Sequence, residues 1–226
     1  MSDSFTLTLS GASSILDAHY FPPIELPRGK KCVLGLVEFL SYNSIPNVDE
    51  SNNKLHFVGG ETITIPTGSY EVESIERFIQ QNTKKTISIK PNNNTLRNEI
   101  LCDANIDLRP RNSIGRLLGF TPQILEAHKK HESDEPVAIM KVNALRVDCN
   151  ITGGAYINNQ RGHTIHEFFP TVPSGFKIVE VPLTIIYLPI TVEAISHLQL
   201  KVVDENGFLV DFRGEQITIR LHIKAL

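Results

Sequence analysis

The sequence predicts an all-β fold, a β sandwich or jelly roll carrying an α+β insertion. Short runs of β-branched and aromatic residues, broken by Gly, Pro and Asn clusters, dominate both ends of the chain. The run "QITIRLHIKAL" alternates apolar and polar residues, the period of a strand with one buried face. A helical stripe enters only in the middle, which sets the expected insertion at about Gly60 to about Pro136. No internal repeat and no linker rich in Pro, Gly or Ser divides residues 1–226, so a single domain is expected.

In chain order the candidate strands are "FTLTL", "CVLGLVEFLSY", "KLHFV", "ETITI", "KVNALRVDCNI", "FKIVEVPLTIIYLPI", "HLQLKVV" and "QITIRLHIK". Within the sixth, Pro182 and Pro189 bracket an apolar run. Proline cannot donate to a ladder, so both belong at strand ends or on an edge, with the run between them covered on both faces.

The insertion opens with "TGSYEVESIERFIQQN", which puts Val72, Ile75, Phe78 and Ile79 on one helical stripe and Glu71 and Glu73 in the first turn. "KTISIKPNNNTLRNEIL" reads as two strands around a Pro and Asn cluster, a hairpin with a longer loop. In "RPRNSIGRLLGF", Ser113 can cap a short helix carrying Ile114, Leu117 and Leu118, and Gly119 suits the left-handed position that ends it. A polar loop, "EAHKKHESDEP", leads back to strands.

In the last strand Ile217, Ile219, Leu221 and Ile223 are expected to face the core, with Thr218, Arg220, His222 and Lys224 outward. The Asn-Gly pair of "DENGF" and the "FRGE" segment supply turns before it. So regular a strand is expected to be tied into the core.

The chain has 226 residues, 41% hydrophobic and 21% charged, a composition that suits a globular protein with a sizeable core. Its formal charge of -3, from 22 basic and 25 acidic residues, leaves no electrostatic footprint for a phosphate backbone, so direct nucleic-acid binding is not expected. "MSDSFTLTLSGASSILDAHY" lacks the basic and apolar regions of a signal peptide, and no run approaches the roughly 18 apolar residues of a membrane helix. The chain is expected to be made inside the cell, with no signal-peptide secretion and no membrane partner. Cys32, Cys102 and Cys149 fit no C-x-x-C site and are odd in number, which indicates reduced thiols. In a reducing compartment the sequons at Asn93 and Asn150 are expected to stay unused.

Candidate chemistry is sparse. "RGHTIHEFFPTVPSG" invites comparison with metal-binding cupins, but their H-x-H spacing places both imidazoles on one strand face. His163 and His166, three apart, point to opposite faces, and Glu167 faces away from His166. His128 and His131 sit among Lys129, Lys130 and Glu132, a solvated charged face. "GRLLG" has G-x-x-x-G spacing but is short and flanked by Arg111 and Asn112, which favours a capped surface helix. No nucleophile elbow, Walker A sequence, zinc-protease helix or dinucleotide fingerprint occurs. No catalytic, cofactor-binding or metal residue is assigned, and no enzyme activity is expected. "YNSIPN", "ITGGAYINNQRG" and "FFPTVPSGF" are turn-rich connections with aromatic and apolar residues. Displayed at the ends of a sandwich, they suit contact surfaces, and sheet-edge cover accounts for them equally well.

Several segments together, "IPTGSYEVESIERFI", "NNNTLRNEI", "NSIGRLLGF" and "LQLKVVDENGFLVDFRGEQITIRLHI", resemble the minor capsid (penton) protein of Polinton, or Maverick, elements, which are virus-like DNA transposons. The resemblance runs from about Thr62 to Lys224. It implies a single jelly roll whose final strand lies inside a sheet between earlier strands. It also implies a structural virion protein: five copies forming a homopentamer at each icosahedral capsid vertex, in contact with a double jelly-roll major capsid protein. Two other functions fit a jelly roll, a carbohydrate- or receptor-binding module and a cupin-like metalloenzyme, the second disfavoured by the histidine spacing.

Overall fold

A computed structural model describes residues 4–139 and 142–226. Residues 1–3, and Lys141 at the head of one candidate strand, lie outside the described residues. The chain runs β1 (Ser4–Gly11), β2 (Ile15–Glu25), β3 (Cys32–Tyr42), β4 (Lys54–Phe57), β5 (Thr62–Thr64) and α1 (Val72–Gln81). Then follow β6 (Ile87–Asn92), β7 (Arg97–Cys102), β8 (Ile106–Asp107), β9 (Ile124–Leu125), β10 (Lys130–Glu132) and β11 (Leu145–Cys149). The remainder comprises β12 (Ala155–Ile157), β13 (Gln160–Gly162), β14 (Thr164–Phe168), β15 (Lys177–Glu180), β16 (Leu188–Pro189), β17 (Ala194–Val203) and β18 (Ile217–Ala225).

The chain divides into two compact units. The first comprises Met1–Ile45 and Val142–Leu226; the second, Pro46–Lys141, interrupts it in sequence.

The first unit is a jelly-roll β sandwich. One sheet has the order β1-β18-β3-β15, with β16 also on β3, and the other has the order β14-β11-β17-β2; every pairing is antiparallel. Strand β18 lies between β1 and β3, so both of its edges are hydrogen-bonded. Its Ile217, Ile219, Leu221 and Ile223 are buried in the core, as the alternation requires.

In β3 the strict period of two breaks at Val37. The register passes from Arg220↔Glu38 to Leu221↔Leu36, so Val37 is an extra residue on β3. Such a bulge flips the following side chains to the other face. Leu34 and Leu36 therefore point into the core, and so does Phe39, whose ring packs 5.0 Å from Phe168 and 6.2 Å from Phe212.

The second unit has its own core. Strands β5-β4-β8-β9 form one sheet and β10-β7-β6 another. Helix α1 buries Val72, Ile75 and Ile79 in that core, with Phe78 at its margin. Glu73 occupies the first turn, while Glu71 is the N-cap residue and makes no side-chain cap. The expected hairpin forms as β6 and β7, with Asn92 Oδ1 accepting from the Asn94 amide in the turn.

The segment after Ser113 makes one helical turn. Leu118 N–H donates to Ile114 C=O, and Ser113 Oγ accepts from the Gly115 amide. Two bonds close the turn, Gly119 N–H to Arg116 C=O at 3.1 Å and Phe120 N–H to Gly115 C=O at 2.8 Å, the pairing of a Schellman motif. Gly119 has φ +85°, and a Cβ there would lie 2.2 Å from the Glu135 carbonyl oxygen.

Several expectations are corrected. Strand β2 was not anticipated, because Pro22 and Pro23 lie inside it; it is an edge strand, where proline is tolerated. The "EAHKKHESDEP" loop contains β10, three residues paired to β7. The connection "ITGGAYINNQRG" contains the hairpin β12–β13. The largest difference lies between Pro182 and Pro189, where no buried strand forms. Apart from β16 at its end, the run has no ladder, and Val181, Leu183 and Ile186 are exposed.

Candidate interaction surface

The outward face of β18 carries Arg220, His222 and Lys224 at alternate positions, level with Glu38, Gly35 and Val33 of β3. Position 35 has no side chain, and that vacancy is filled. A Cβ there would lie 2.4 Å from Ile185 Cγ2 and 2.9 Å from the Ile186 carbonyl oxygen, so the 181–187 segment runs directly over the glycine.

Tyr187 pins this strap. Its hydroxyl is 2.8 Å from His222 Nδ1, and the Lys224 ammonium lies 3.8 Å from its ring centroid, a cation–π contact. Arg220 faces Glu38 at 3.6 Å. His222 and Lys224, which alternation turns outward, are thus partners of a segment whose apolar character predicted burial.

The strap leaves Leu183 fully exposed and Ile186 and Val181 more than half exposed, and just before it in the chain Val179 of β15 and Phe176, which precedes that strand, are exposed as well. Apolar side chains gathered in this way on one surface commonly mark a contact site. Elsewhere on the first unit Phe21, Tyr156, Phe169, Phe208 and Leu209 are exposed, all but Phe21 near turns. Phe208 and Leu209 follow the Asn-Gly turn, where Asp204 Oδ1 accepts from the amides of Asn206 and Phe208.

The histidines singled out in the sequence have separate partners. His166 Nε2 lies 2.9 Å from Glu180 Oε1, whereas His163 Nδ1–H donates to the Thr152 carbonyl at 2.7 Å. Glu167 pairs with Arg146 at 2.7 Å. In the second unit His131 Nε2–H donates to the Glu126 carbonyl, and His128 adopts φ +57°. Among the described residues no three His, Cys, Asp or Glu side chains converge as a metal-binding group.

A histidine pair that the sequence did not bring together is His19 and His197, cross-strand neighbours on β2 and β17 with rings stacked at 4.5 Å. His197 Nε2 is 2.8 Å from Asp17 Oδ1. That bond, then one from Gln199, holds the Asp17 carboxyl below its usual range. Register alone creates the pair, because 178 positions in sequence separate residues that lie opposite across one rung.

All three cysteines are free and buried. Burial pushes the Cys149 thiol up to about 11, so it stays protonated and behaves as a small hydrophobe. Among the described residues no helix is long and apolar enough to cross a membrane.

No protein-family model matches this chain, and no curated protein matches it. A solved structure does. The crystal structure of a selenomethionine-labelled mavirus penton protein superposes with a TM-score of 0.53 at 9% sequence identity, covering 99% of this chain and 99% of that one. At that identity the likeness shows a shared fold, here over both units.

Proposed function

We propose that this chain is a penton, or minor capsid, subunit of a Polinton-like element. It acts as a structural virion protein that forms homopentamers at icosahedral vertices and contacts a double jelly-roll major capsid protein. On this reading the second unit is an α+β insertion in a single jelly-roll domain. The observation that carries the proposal is likeness along the whole chain: a mavirus penton protein shares both the sandwich and the interrupting unit. The exposed apolar strap and loop aromatics support it, because shell proteins work through contact area. The reading assigns no catalytic residue, no cofactor and no direct nucleic-acid contact.

The direct test is the mass of the purified full chain by light scattering and native mass spectrometry, alone and with the major capsid protein. A five-copy species is expected. A species that stays monomeric at high concentration in both conditions counts decisively against the proposal.

A further inference from the structure

The sandwich of the first unit has four edges, the β15 edge being continued by the two-residue β16 with its Pro189, and at three of them the strands carry devices that discourage pairing with another chain. Strand β2 contains Pro22 and Pro23 and a register shift opposite Ile195/His197. Strand β14 contains His166 and Glu167 and faces a register shift at Val147/Asp148. Strand β15 is only four residues long and holds Lys177 and Glu180.

Strand β1 has none of these. Its eight residues, SFTLTLSG, contain no charge and no proline, and its register with β18 runs without a shift from Ser4↔Lys224 to Gly11↔Ile217. Phe5, Leu7 and Leu9 pack on the core while Thr6 and Thr8 are exposed. Among the described residues no strand pairs with its far edge. A long, straight, uncharged edge is a template for strand addition.

The strap has the complementary deficit. Residues 181–187, "VPLTIIY", are also uncharged and rich in β-branched side chains, and among the described residues they make no backbone hydrogen bond. From Phe5 to Gly11 on the outer side of β1, and along the strap, the main chain thus has no hydrogen-bonding partner among the described residues, and both segments lack charge. They cannot meet within one chain, because β18 and β3 separate β1 from the strap's seat over Gly35.

We infer that the β1 edge of one copy and the Val181–Ile186 strap of a second copy form the two halves of a contact between copies of this chain. The occupant of the edge is therefore a second copy. A closed ring needs this kind of contact, in which one patch meets a different patch on its neighbour. The inference rests on the pentamer reading and adds the surfaces that build the ring.

The test compares full-length wild type with Thr8→Lys and, separately, Leu183→Asp, in whichever condition yields the wild-type pentamer. Both positions are solvent-exposed, so circular dichroism and melting temperature should not change. Each single charge placed in the contact is expected to weaken association by about tenfold or more. Combining the two substitutions is expected to recover part of the loss, because the contact then holds one charge of each sign instead of one alone. Single variants that assemble like wild type, or a double variant no better than the worse single one, overturn the inference and leave the pentamer reading intact. A wild-type chain that never forms a pentamer overturns both.

Discussion

Tyr187 and His222 share a 2.8 Å hydrogen bond on the outward face of β18, and Lys224 lies over the same tyrosine ring. One side chain thereby anchors an apolar segment that has no ladder of its own. Replacing Tyr187 with Ala removes a hydrogen bond, about 1 kcal/mol, and a cation–π contact, about 0.5 to 1 kcal/mol. The expected loss of unfolding free energy in urea is about 1 to 2 kcal/mol. Limited proteolysis should show faster cleavage within 181–187, and unchanged stability with unchanged protection would mean that other contacts hold the strap.

Two glycines with nearly the same φ should respond differently to alanine. Gly119 (φ +85°) has the Glu135 carbonyl where a Cβ would sit, whereas Gly207 (φ +86°) opens to empty space. Gly207→Ala carries only the backbone cost, about 1 kcal/mol. Gly119→Ala must also displace backbone, so its loss in a chemical melt should exceed that of Gly207→Ala by about 1 to 3 kcal/mol. Equal losses would show that the Glu135 segment yields freely.

Cys149 predicts an alkaline limb of stability. Its thiol ordinarily ionises near 9.0 and is raised by burial to about 11 in the folded chain. The unfolded chain therefore releases this proton first. The stabilisation is complete below pH 9 and is lost as pH rises towards 11. Wild type should lose stability over that interval more steeply than Cys149→Ala. Alkylation of Cys149 at neutral pH should proceed only as fast as the chain opens, and rapid labelling of the native protein would contradict its burial.

Strand β18 is the test of topology. Because it lies between β1 and β3, deleting residues from Gln216 onward removes the centre of a sheet and four buried side chains. Soluble, cooperative folding should be lost, whereas Leu221→Ala should retain the fold at a cost of about 2 to 5 kcal/mol. A truncated chain with a sharp unfolding transition would show that the sandwich closes without this strand.

Much of this architecture was legible in the chain. The bounds of β3 coincide with the run from Cys32 to Tyr42, the stripe of Val72, Ile75 and Ile79 became the buried face of α1, and Gly119 ends its turn in the left-handed conformation. These features depend on residues a few positions apart. Strand β2 was hidden because Pro22 and Pro23 discourage a strand in general but not on an edge, and edges are assigned by distant partners. The candidate surface was less legible still, since the apolar character of Val181, Leu183 and Ile186 points to burial in any local reading.

The sequence by itself determined which side chains of a regular strand such as β18 share a face, because the period of two is a property of consecutive residues, whereas the bulge at Val37 that resets the faces of β3 appears only in the register with β18. The sequence determined some of the turns as well, through the Asn-Gly pair at 206–207 and the glycine at 119. Only the tertiary structure decided which strands became edges, which histidines became neighbours, and that Gly35 would seat a strap pinned by Tyr187. The physical reason is that coverage is non-local. Whether an apolar residue is buried depends on what crosses it, and at Leu183 no part of the described chain does.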